Sequence, residues 1–441
     1  MTRPDPKSLA EALEAARGAY AARNPRSAEL HAAARATMPG GNTRTALHFA
    51  PFPLYVARSA GARITDVDGH DHLDALTEYT AGLYGHGHPV VVAAVRETLE
   101  AGVSNGAPGA ADVTLARLIA ERFPSVEHLR FCNSGTEANL YALTLARIAT
   151  GRGAVMAFEG AYHGGVLNFG GGATMRAAMD WRVERFNDPA IGDRIRAAGD
   201  GLAAVIVEPI MTNAGCIPAE PAFLEALREA CDATGALLVF DEIVTSRHGP
   251  AGAQGLYGVR PDLTTLGKYL GGGFSFGAFG GPAELMARFD PFRPDGLPHA
   301  GTFNNNVFSM RVGAAALGQV FTPARAETLF MAGEGLRDEL NGICAGLDVP
   351  VRFTGRGSVM AAHFTDRPIR SPRDLPEQTD ARALLHLDLI EAGLYAAPRG
   401  QFALSLAMEA ADVAGIVATI GAALDRRRAL YRQGAGLSAW A

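Results

Sequence analysis

The sequence has very little lysine. Of its 441 residues 40 are basic, and only Lys7 and Lys268 are lysines, so 38 are arginines. Chemistry that needs a side-chain amine therefore has few candidates. Lys7 lies in a charged N-terminal stretch, whereas Lys268 lies in the apolar, glycine-rich stretch 264–271. A lysine that loses its hydration in such surroundings has a lowered pKa and becomes a nucleophilic amine able to form a Schiff base.

Other absences exclude whole classes of protein. The 46 acidic residues outnumber the basic ones and leave a formal charge of −6, so no basic surplus indicates nucleic-acid binding. No apolar run approaches the roughly 18 residues of a membrane span. Residues 1–21 lack the apolar core of a signal peptide, and the four cysteines show no C-x-x-C spacing. We therefore expect a cytoplasmic protein with reduced thiols.

The middle of the chain alternates short apolar runs with amphipathic helices. Near-continuous apolar strands separated by helices predict an α/β fold, with a mostly parallel sheet covered on both faces. At about 150 residues per domain, the length favours two to three domains. We expect a large domain over residues 76–325. A smaller α+β domain would combine the N-terminal segment 1–75 with residues 326–441.

Individual elements follow from local patterns. A helix is predicted over Ser8–Arg35, broken at Pro25, and a hairpin over Tyr55–Val67 with Asp68-Gly69 as its turn. Apolar runs predict strands at 129–132, 154–158, 203–207 and 236–240, and in the C-terminal part at 351–353 and 359–364.

The polar residues after these strands are the candidates for a site, since ligands in such sheets bind beyond the carboxyl ends of the strands. Ser134, Gly135 and Thr136 follow the first strand and open a helix. Free N–H groups and the helix dipole would make this a phosphate cup, although the same residues also suit a simple helix cap. Tyr162, flanked by glycines after the second strand, could lie flat on a planar ligand or pack on the core.

Two carboxylates follow the next two strands, Glu208 and Asp241. They could bind a metal, act as acid and base, or pair with cationic nitrogens. The metal hypothesis is weak because the histidine pairs nearby lack H-E-x-x-H spacing. A strand-end carboxylate can equally be a helix cap.

Ser275 offers a competing hypothesis. Residues 273–277 match G-x-S-x-G, the nucleophile elbow of serine hydrolases. The elbow needs an apolar strand before the serine and a helix after it, whereas glycines surround Ser275 on both sides. A serine hydrolase stays as a remote alternative.

A phosphate cup, a ring-stacking aromatic, a strand-end aspartate and a reactive lysine are the parts needed to hold pyridoxal 5'-phosphate. In combination they resemble the class III aminotransferases of fold type I, in the glutamate-1-semialdehyde aminomutase-like branch and in particular its aromatic β-amino acid (β-phenylalanine) aminotransferases. The motifs that carry the resemblance are Asn133–Ala138, Tyr162–Gly164, Val207–Pro209, Phe240–Glu242, Thr265–Lys268 and Gly301–Asn304.

The resemblance implies a role for each residue of the cofactor site. Lys268 would be the Schiff-base lysine and move the proton, and Asp241 would pair with the ring nitrogen. The remaining cofactor contacts would be Ser134, Gly135 and Thr136 at the phosphate, Tyr162 and Ile243 on the two ring faces, Glu208, and Thr302 from the neighbouring subunit. A homodimer with shared active sites follows from the last of these.

The substrates would be small molecules, an amino acid and a 2-oxo acid, and arginine is the bidentate choice for their carboxylates. The resemblance implies that Arg44 holds the carboxylate of a β-amino acid donor. Arg399 would serve the acceptor, 2-oxoglutarate or pyruvate, in a ping-pong reaction. Tyr79 would line an apolar pocket or pack in the core, and Asn213 and Gly215 complete the expected substrate site.

An intramolecular amino transfer remains the alternative within the same family. The spacing Glu208-Pro209-x-x-x-Asn213 also fits the pattern of the glutamate-1-semialdehyde 2,1-aminomutases. The residues do not decide between one substrate that is rearranged and two substrates that exchange an amino group.

Overall fold

The computed structural model describes residues 8–170, 175–377 and 379–434. Lys7 lies outside the described residues. Within them, no helix is both long enough and apolar enough to cross a membrane.

The chain begins with two helices, Leu9–Arg23 and Pro25–Ala34. The predicted break at Pro25 is confirmed, because proline lacks an N–H and takes the first position of the second helix. Asn24 between the helices is buried, and its side-chain amide donates to the Tyr20 carbonyl at 2.8 Å. The first helix packs against a C-terminal helix, Thr379–Glu391.

The predicted hairpin is confirmed, but its turn was assigned wrongly. Four strands form one sheet in the order Val56–Ala60, Arg63–Asp66, Asp71–Asp74 and Leu394–Tyr395. The first two are joined at Gly61, which has a φ of +56°, while Asp68-Gly69 turns the chain into the third strand. Both ends of the chain thus contribute to this sheet. The domain boundaries at residues 75 and 325 stay a prediction.

A seven-stranded sheet forms the centre of the protein and confirms the mostly parallel α/β architecture. Six strands are parallel to one another, and the strand Gly277–Gly281 is antiparallel to its two neighbours. Their spatial order is His128–Cys132, Gly277–Gly281, Leu263–Gly267, Leu237–Asp241, Leu202–Val207, Ala154–Phe158 and Asp180–Glu184. Apolar side chains bury the central strands on both faces.

The glycine-rich strand Gly277–Gly281 was not predicted from the sequence. A Cβ on Gly277 would lie 2.2 Å from the Ser134 carbonyl oxygen, and a Cβ on Gly280 would lie 2.7 Å from the His128 carbonyl oxygen. Glycine therefore lets this strand pass close to the start of the helix that follows the first strand. The residues that weaken the strand pattern are the ones that the packing requires.

Helices cover the central sheet and its edges, at Pro89–Ala101, Ala110–Arg122, Gly135–Thr150, Ile191–Ala198, Pro221–Thr234, Gly252–Tyr257, Ala283–Met286 and Val307–Ala315. The C-terminal part has helices Pro323–Gly346, Thr379–Glu391, Ala410–Arg426 and Arg428–Gly434, and a three-stranded sheet of Arg352–Arg356, Val359–His363 and Gln401–Ala403. A short pair, Ile210–Met211 and Ile217–Pro218, follows the central strand Leu202–Val207.

Candidate active site

Asp241 is the last residue of a central strand and is only 4% exposed. Its Oδ2 accepts from the Asn139 side-chain amide at 2.9 Å and lies 2.7 Å from His163 Nδ1. Its Oδ1 accepts from the Ile243 backbone N–H at 3.1 Å. Three separate elements therefore hold this carboxylate in one orientation at the end of the sheet.

Asn139 and His163 were not assigned a role from the sequence. The Asn139 amide also donates to the His163 carbonyl at 2.8 Å, and its Oδ1 accepts from the Thr265 hydroxyl at 2.6 Å. Both residues stand within or directly beside motifs already singled out. A buried asparagine one turn into the cup helix was the available signal, since a buried amide needs partners for all its polar atoms.

The helix start predicted as a phosphate cup is capped as the sequence indicates, and its phosphate-binding role stays a prediction. Ser134 caps the helix Gly135–Thr150 by accepting from the Glu137 N–H at 3.2 Å. The Thr136 hydroxyl accepts from the Gly165 N–H at 3.2 Å, so the loop after the next strand closes one side of the cup. The caps leave N–H groups at the helix N-terminus where an anion is favoured.

Two glycines keep this cup open. A Cβ on Gly135 would lie 2.4 Å from the Ile243 Cδ1 atom. Gly164 has a φ of +128°, and a Cβ there would lie 2.2 Å from the Thr136 hydroxyl oxygen. The absence of both side chains lets Ile243 and Thr136 approach the same small space.

Glu208 directly follows the strand Leu202–Val207 and connects it to the loop that carries Tyr162. Its carboxylate accepts from the Tyr162 N–H at 2.9 Å and from the Thr212 N–H at 3.2 Å. Burial, helped by the nearby Asp241 charge, raises the pKa of Glu208 to about 7. The Tyr162 ring is 41% exposed, free of the core packing that was its alternative role. Within the described ranges, no group of three or more acidic, histidine or cysteine side chains is placed to hold a metal.

Lys268 directly follows the strand Leu263–Gly267 and has a φ of +55°. Its Nζ donates to the Tyr79 carbonyl oxygen at 2.9 Å. Burial, together with the positive charges of Arg399 and Arg44, lowers the pKa of this amine to about 8. The structure thus supplies the desolvated amine that the sequence predicted, next to a residue that is distant in the chain.

Arg44 and Arg399 lie against the same tyrosine. The guanidinium carbon of each is 5.2 Å from the centroid of the Tyr79 ring. Arg44 pairs with the Glu78 carboxylate at 2.5 Å, and burial raises the pKa of Tyr79. The two expected carboxylate clamps and the expected pocket aromatic are therefore brought together.

Arg399 has neutral hydrogen-bond partners. Its Nη1 donates to Asn213 Oδ1 at 2.8 Å and its Nε donates to Gln401 Oε1 at 3.0 Å. Gln401 was missed by the sequence reasoning. No ion pair of Arg399 occurs among the residues that the structure describes, although burial lowers its pKa by penalising the charge. The positive charge of this guanidinium is therefore available to pair with the carboxylate of a ligand.

Gly215 and Thr302 lie elsewhere around the site. The Gly215 carbonyl accepts from the Thr354 hydroxyl at 2.6 Å and lies 2.9 Å from His363 Nε2. The Thr302 side chain is exposed in a surface cavity of about 570 Å³, whose other side is formed by residues 105–108. Gly215 thus anchors the loop that carries Asn213 to the C-terminal sheet.

The context of Ser275 is not that of a nucleophile elbow. Ser275 is exposed, and the strand Gly277–Gly281 follows it where the elbow requires a helix. Its carbonyl accepts from the Ser309 hydroxyl at 2.7 Å. The hydrolase alternative therefore lacks its structural basis.

Comparison with known proteins agrees with this geometry. The family model of the class III aminotransferases matches residues 46–424. The chain is 47% identical over 426 residues to the beta-phenylalanine transaminase of Variovorax paradoxus, covering 96% of this chain and 98% of the relative. A glutamate-1-semialdehyde 2,1-aminomutase of Roseiflexus castenholzii is 38% identical over 426 residues, covering 92% and 98% of the two chains.

A solved structure of a beta-phenylalanine aminotransferase from Variovorax paradoxus superimposes on this fold with a TM-score of 0.94 at 47% identity. The match covers 96% of this chain and 99% of that one. Both the fold and the family inferred from the motifs are thus confirmed. The chain belongs to the class III aminotransferases and is a pyridoxal-phosphate-dependent transaminase of fold type I.

Proposed function

We propose that this enzyme transfers the amino group of a β-amino acid with an aromatic, β-phenylalanine-like side chain to 2-oxoglutarate or pyruvate. The observation that carries the proposal is the pair Arg44 and Arg399, each 5.2 Å from the Tyr79 ring beside the Lys268 amine. Two guanidiniums and one aromatic surface suit a substrate that has a carboxylate and an aromatic group. The Variovorax paradoxus relative, named a beta-phenylalanine transaminase, supports the same substrate class.

The residues present fit pyridoxal phosphate. The glycine-dependent cup at Gly135 and Thr136 suits its phosphate, and the Tyr162 ring and Ile243 side chain suit the faces of its ring. When bound, the cofactor acts as an electron sink for cleavage of a bond at the amino-bearing carbon. Asp241, fixed by its three hydrogen-bonding partners, would keep the ring nitrogen protonated, and Glu208 would hold the Tyr162 loop in place.

Lys268 would then do the proton chemistry. With a pKa of about 8, a substantial fraction of this amine is unprotonated at mildly alkaline pH. The Nζ atom can therefore accept a proton from the substrate carbon and return it, as a general base and acid near its own pKa. Its hydrogen bond to the Tyr79 carbonyl orients the amine when it is not engaged.

The two arginines would bind the two substrates in turn. Arg44 would exchange its exposed Glu78 partner for the donor carboxylate. Arg399, whose partners Asn213 and Gln401 are neutral, would receive the acceptor carboxylate. Because donor and acceptor occupy one site successively, we expect ping-pong kinetics.

The test compares substrates across matched variants. Arg44→Gln should raise the KM for (R)- or (S)-β-phenylalanine about a hundredfold, since a charge-assisted bidentate contact is lost, and change the acceptor KM much less. Arg399→Gln should do the reverse for 2-oxoglutarate. Arg117→Gln, which removes an exposed arginine paired with Glu121, is the control. Equal effects of both variants on both substrates would refute the assignment.

Two further outcomes decide the reaction class. Turnover of β-phenylalanine that strictly requires added 2-oxoglutarate or pyruvate supports transamination. Conversion of a single amino-aldehyde substrate without an oxo acid would instead support the aminomutase alternative, which the spacing Glu208-Pro209-x-x-x-Asn213 also fits. Lys268→Ala should abolish either reaction.

We also propose a homodimer in which Thr302 reaches the phosphate cup of the partner. Its exposure in a cavity at the protein surface, next to the 60% exposed Phe303, supports a face that a second copy covers. Mixing Lys268→Ala and Thr302→Ala chains should restore activity, since a hybrid dimer then holds one complete site. Absence of restoration in verified hybrids would contradict the shared site.

We propose that the protein is cytoplasmic, because its four cysteines are buried and unpaired. Cell fractionation tests this location.

A further inference from the structure

Four consecutive residues before the site adopt left-handed backbone. Thr77, Glu78, Tyr79 and Thr80 have φ values of +49°, +50°, +50° and +78°, and none of them is glycine. Side chains of L-residues crowd the backbone in this region, so single left-handed residues are uncommon and a run of four is costly. Such a turn persists only where surrounding groups hold it, and strain of this kind concentrates at functional sites.

The left-handed turn, residues 77–80, contacts both the lysine and the two arginines of the site. The Tyr79 carbonyl accepts from the Lys268 amine, and the Tyr79 ring lies against both substrate arginines. The Glu78 carboxylate pairs with Arg44. If the turn relaxed toward right-handed or extended backbone, these groups would leave their places together.

One end of the turn is held by a neighbouring carboxylate. Asp74 Oδ1 accepts from the backbone N–H groups of Leu76 and Thr77 at 3.0 and 2.9 Å. The Gly82 N–H donates back to the Thr77 carbonyl at 2.8 Å. A Cβ on Gly82 would lie 3.0 Å from that same carbonyl group, so the chain closes tightly over the turn.

The other end is held by a buried arginine. Arg247, which is fully buried, donates from Nη1 to the Thr80 carbonyl at 3.2 Å. Its Nε donates to the Ser358 hydroxyl at 2.9 Å and its Nη2 donates to the Leu404 carbonyl. Each of the three guanidinium nitrogens donates a hydrogen bond, and none of the ion pairs within the described residues includes Arg247. Burying a charge whose hydrogen-bond acceptors are all neutral lowers the free energy of unfolding, which indicates that the contacts themselves are needed.

We propose that Arg247 is a positioning residue that holds the left-handed turn and thereby places the Lys268 amine and the Tyr79 ring for transamination. The proposal rests on the proposed function for its catalytic consequence. It acts through the backbone of residues 77–80, because the hydrogen bonds of Arg247 within the described part of the chain go to Thr80, Ser358 and Leu404. The planar, three-sided donor set explains why arginine serves here, since the ammonium group of a lysine cannot match three fixed directions.

The first experiment measures the reactivity of the Lys268 amine. Lys7 and Lys268 are the two lysines of the chain, so acetylation of each by dilute acetic anhydride can be followed peptide by peptide in the full-length chain freed of cofactor. We expect Arg247→Met to admit water around Lys268 and to lower its acetylation rate at pH 7 about tenfold relative to Lys7, because its proton is then held more tightly. Arg247→Lys should restore only part of the rate.

Ser358→Ala separates positioning from general stability. This variant removes a partner of the same guanidinium but leaves the bond to Thr80 intact. It should lower Tm without changing the Lys268 acetylation rate or kcat. If Ser358→Ala reproduces the Arg247→Met effect on Lys268, Arg247 acts only through stability and the proposal is overturned.

Thr80→Gly supplies a rescue that a merely structural role would not give. Glycine takes a φ of +78° without steric cost, so in the Arg247→Met background it should recover most of the lost Lys268 reactivity and of kcat. Asp348→Gly makes the same change at a remote, exposed left-handed residue and should recover nothing. No rescue by Thr80→Gly, or equal rescue by both, refutes the proposal.

The acetylation outcomes do not depend on the substrate. The acetylation rate of Lys268 is measured without donor or acceptor, so it reports on the turn even if β-phenylalanine proves not to be a substrate. Conversely, a normal substrate profile with an unchanged acetylation rate in Arg247→Met would leave the proposed function standing and remove Arg247 from it.

Discussion

Replacing Lys268 by methionine should stabilise the cofactor-free protein at neutral pH. The pKa of Lys268 falls from 10.5 to about 8 on folding, with burial as the main cause. At about 1.4 kcal/mol for each tenfold change in proton affinity, folding at pH 7 pays about 3 kcal/mol for the buried ammonium. Lys268→Met removes this cost but also loses the hydrogen bond to the Tyr79 carbonyl, which contributes about 1 kcal/mol. The net gain in the free energy of unfolding is therefore about 2 kcal/mol.

The sign and the pH window follow from proton linkage. Between pH 8 and 10.5 the unfolded chain binds more protons at Lys268 than the folded chain does, so the wild-type protein gains stability as the pH rises through this window. The penalty is complete below pH 8 and absent above pH 10.5. The advantage of Lys268→Met over wild type should therefore shrink from about 2 kcal/mol at pH 7 to nearly zero at pH 10.

The assay is urea unfolding of both cofactor-free chains at pH 7 and pH 10, fitted with one common dependence of the unfolding free energy on urea concentration. Lys7→Met makes the same chemical change at the other lysine and controls for the general effect of deleting a positive charge. An equal difference between Lys268→Met and wild type at both pH values would show that the buried ammonium is not the source of the effect. A variant less stable than wild type at pH 7 would refute the reasoning outright.

Three further predictions test other parts of the molecule. Asp241→Asn keeps the shape of a residue that is 4% exposed but removes its charge. In steady-state assays kcat/KM should fall about a thousandfold, which corresponds to roughly 4 kcal/mol, and a change below tenfold would exclude an ion pair to the ring nitrogen. Gly135→Ala places a Cβ 2.4 Å from the Ile243 side chain and should weaken cofactor binding about tenfold, measured by absorbance titration. Adding Ile243→Ala should reverse much of this loss, and no reversal would show that the clash is not the cause. Burial lowers the pKa of His386 to about 3, so neutral imidazole is favoured in the folded state and stability is lost as the pH falls below 6.5. His386→Leu should gain about 2 kcal/mol over wild type on going from pH 7.5 to pH 5 in urea unfolding, and a pH-independent difference would argue against this origin.

Local sequence was sufficient for the parts of the site that follow strands. Asp241 and Lys268 stand at the ends of buried apolar runs, and parallel strands bring such ends to one edge of a sheet. The cup at Ser134–Thr136 was predictable for the same reason, because capping residues and a glycine mark the start of a helix. These features depend on neighbours within a few residues in the chain.

The contacts between distant segments could not be predicted. Asn139, His163 and Thr265 surround Asp241 from three different elements, and nothing in their own neighbourhoods states that they meet. The turn of the hairpin was misplaced because Asp68-Gly69 is an equally good turn, used for the next strand. The strand Gly277–Gly281 was hidden because glycine is chosen there for close packing and carries no apolar pattern.

Residue types at fixed short spacings were enough to identify the family and the cofactor and to single out Lys268 as the candidate amine. The surroundings of that lysine depend on the tertiary structure. The Tyr79 carbonyl, the two arginines and the turn at residues 77–80 each lie more than 100 residues from Lys268 in the chain. The pKa of an amine is set by such packed neighbours through desolvation and charge, and these exist only once the chain has folded.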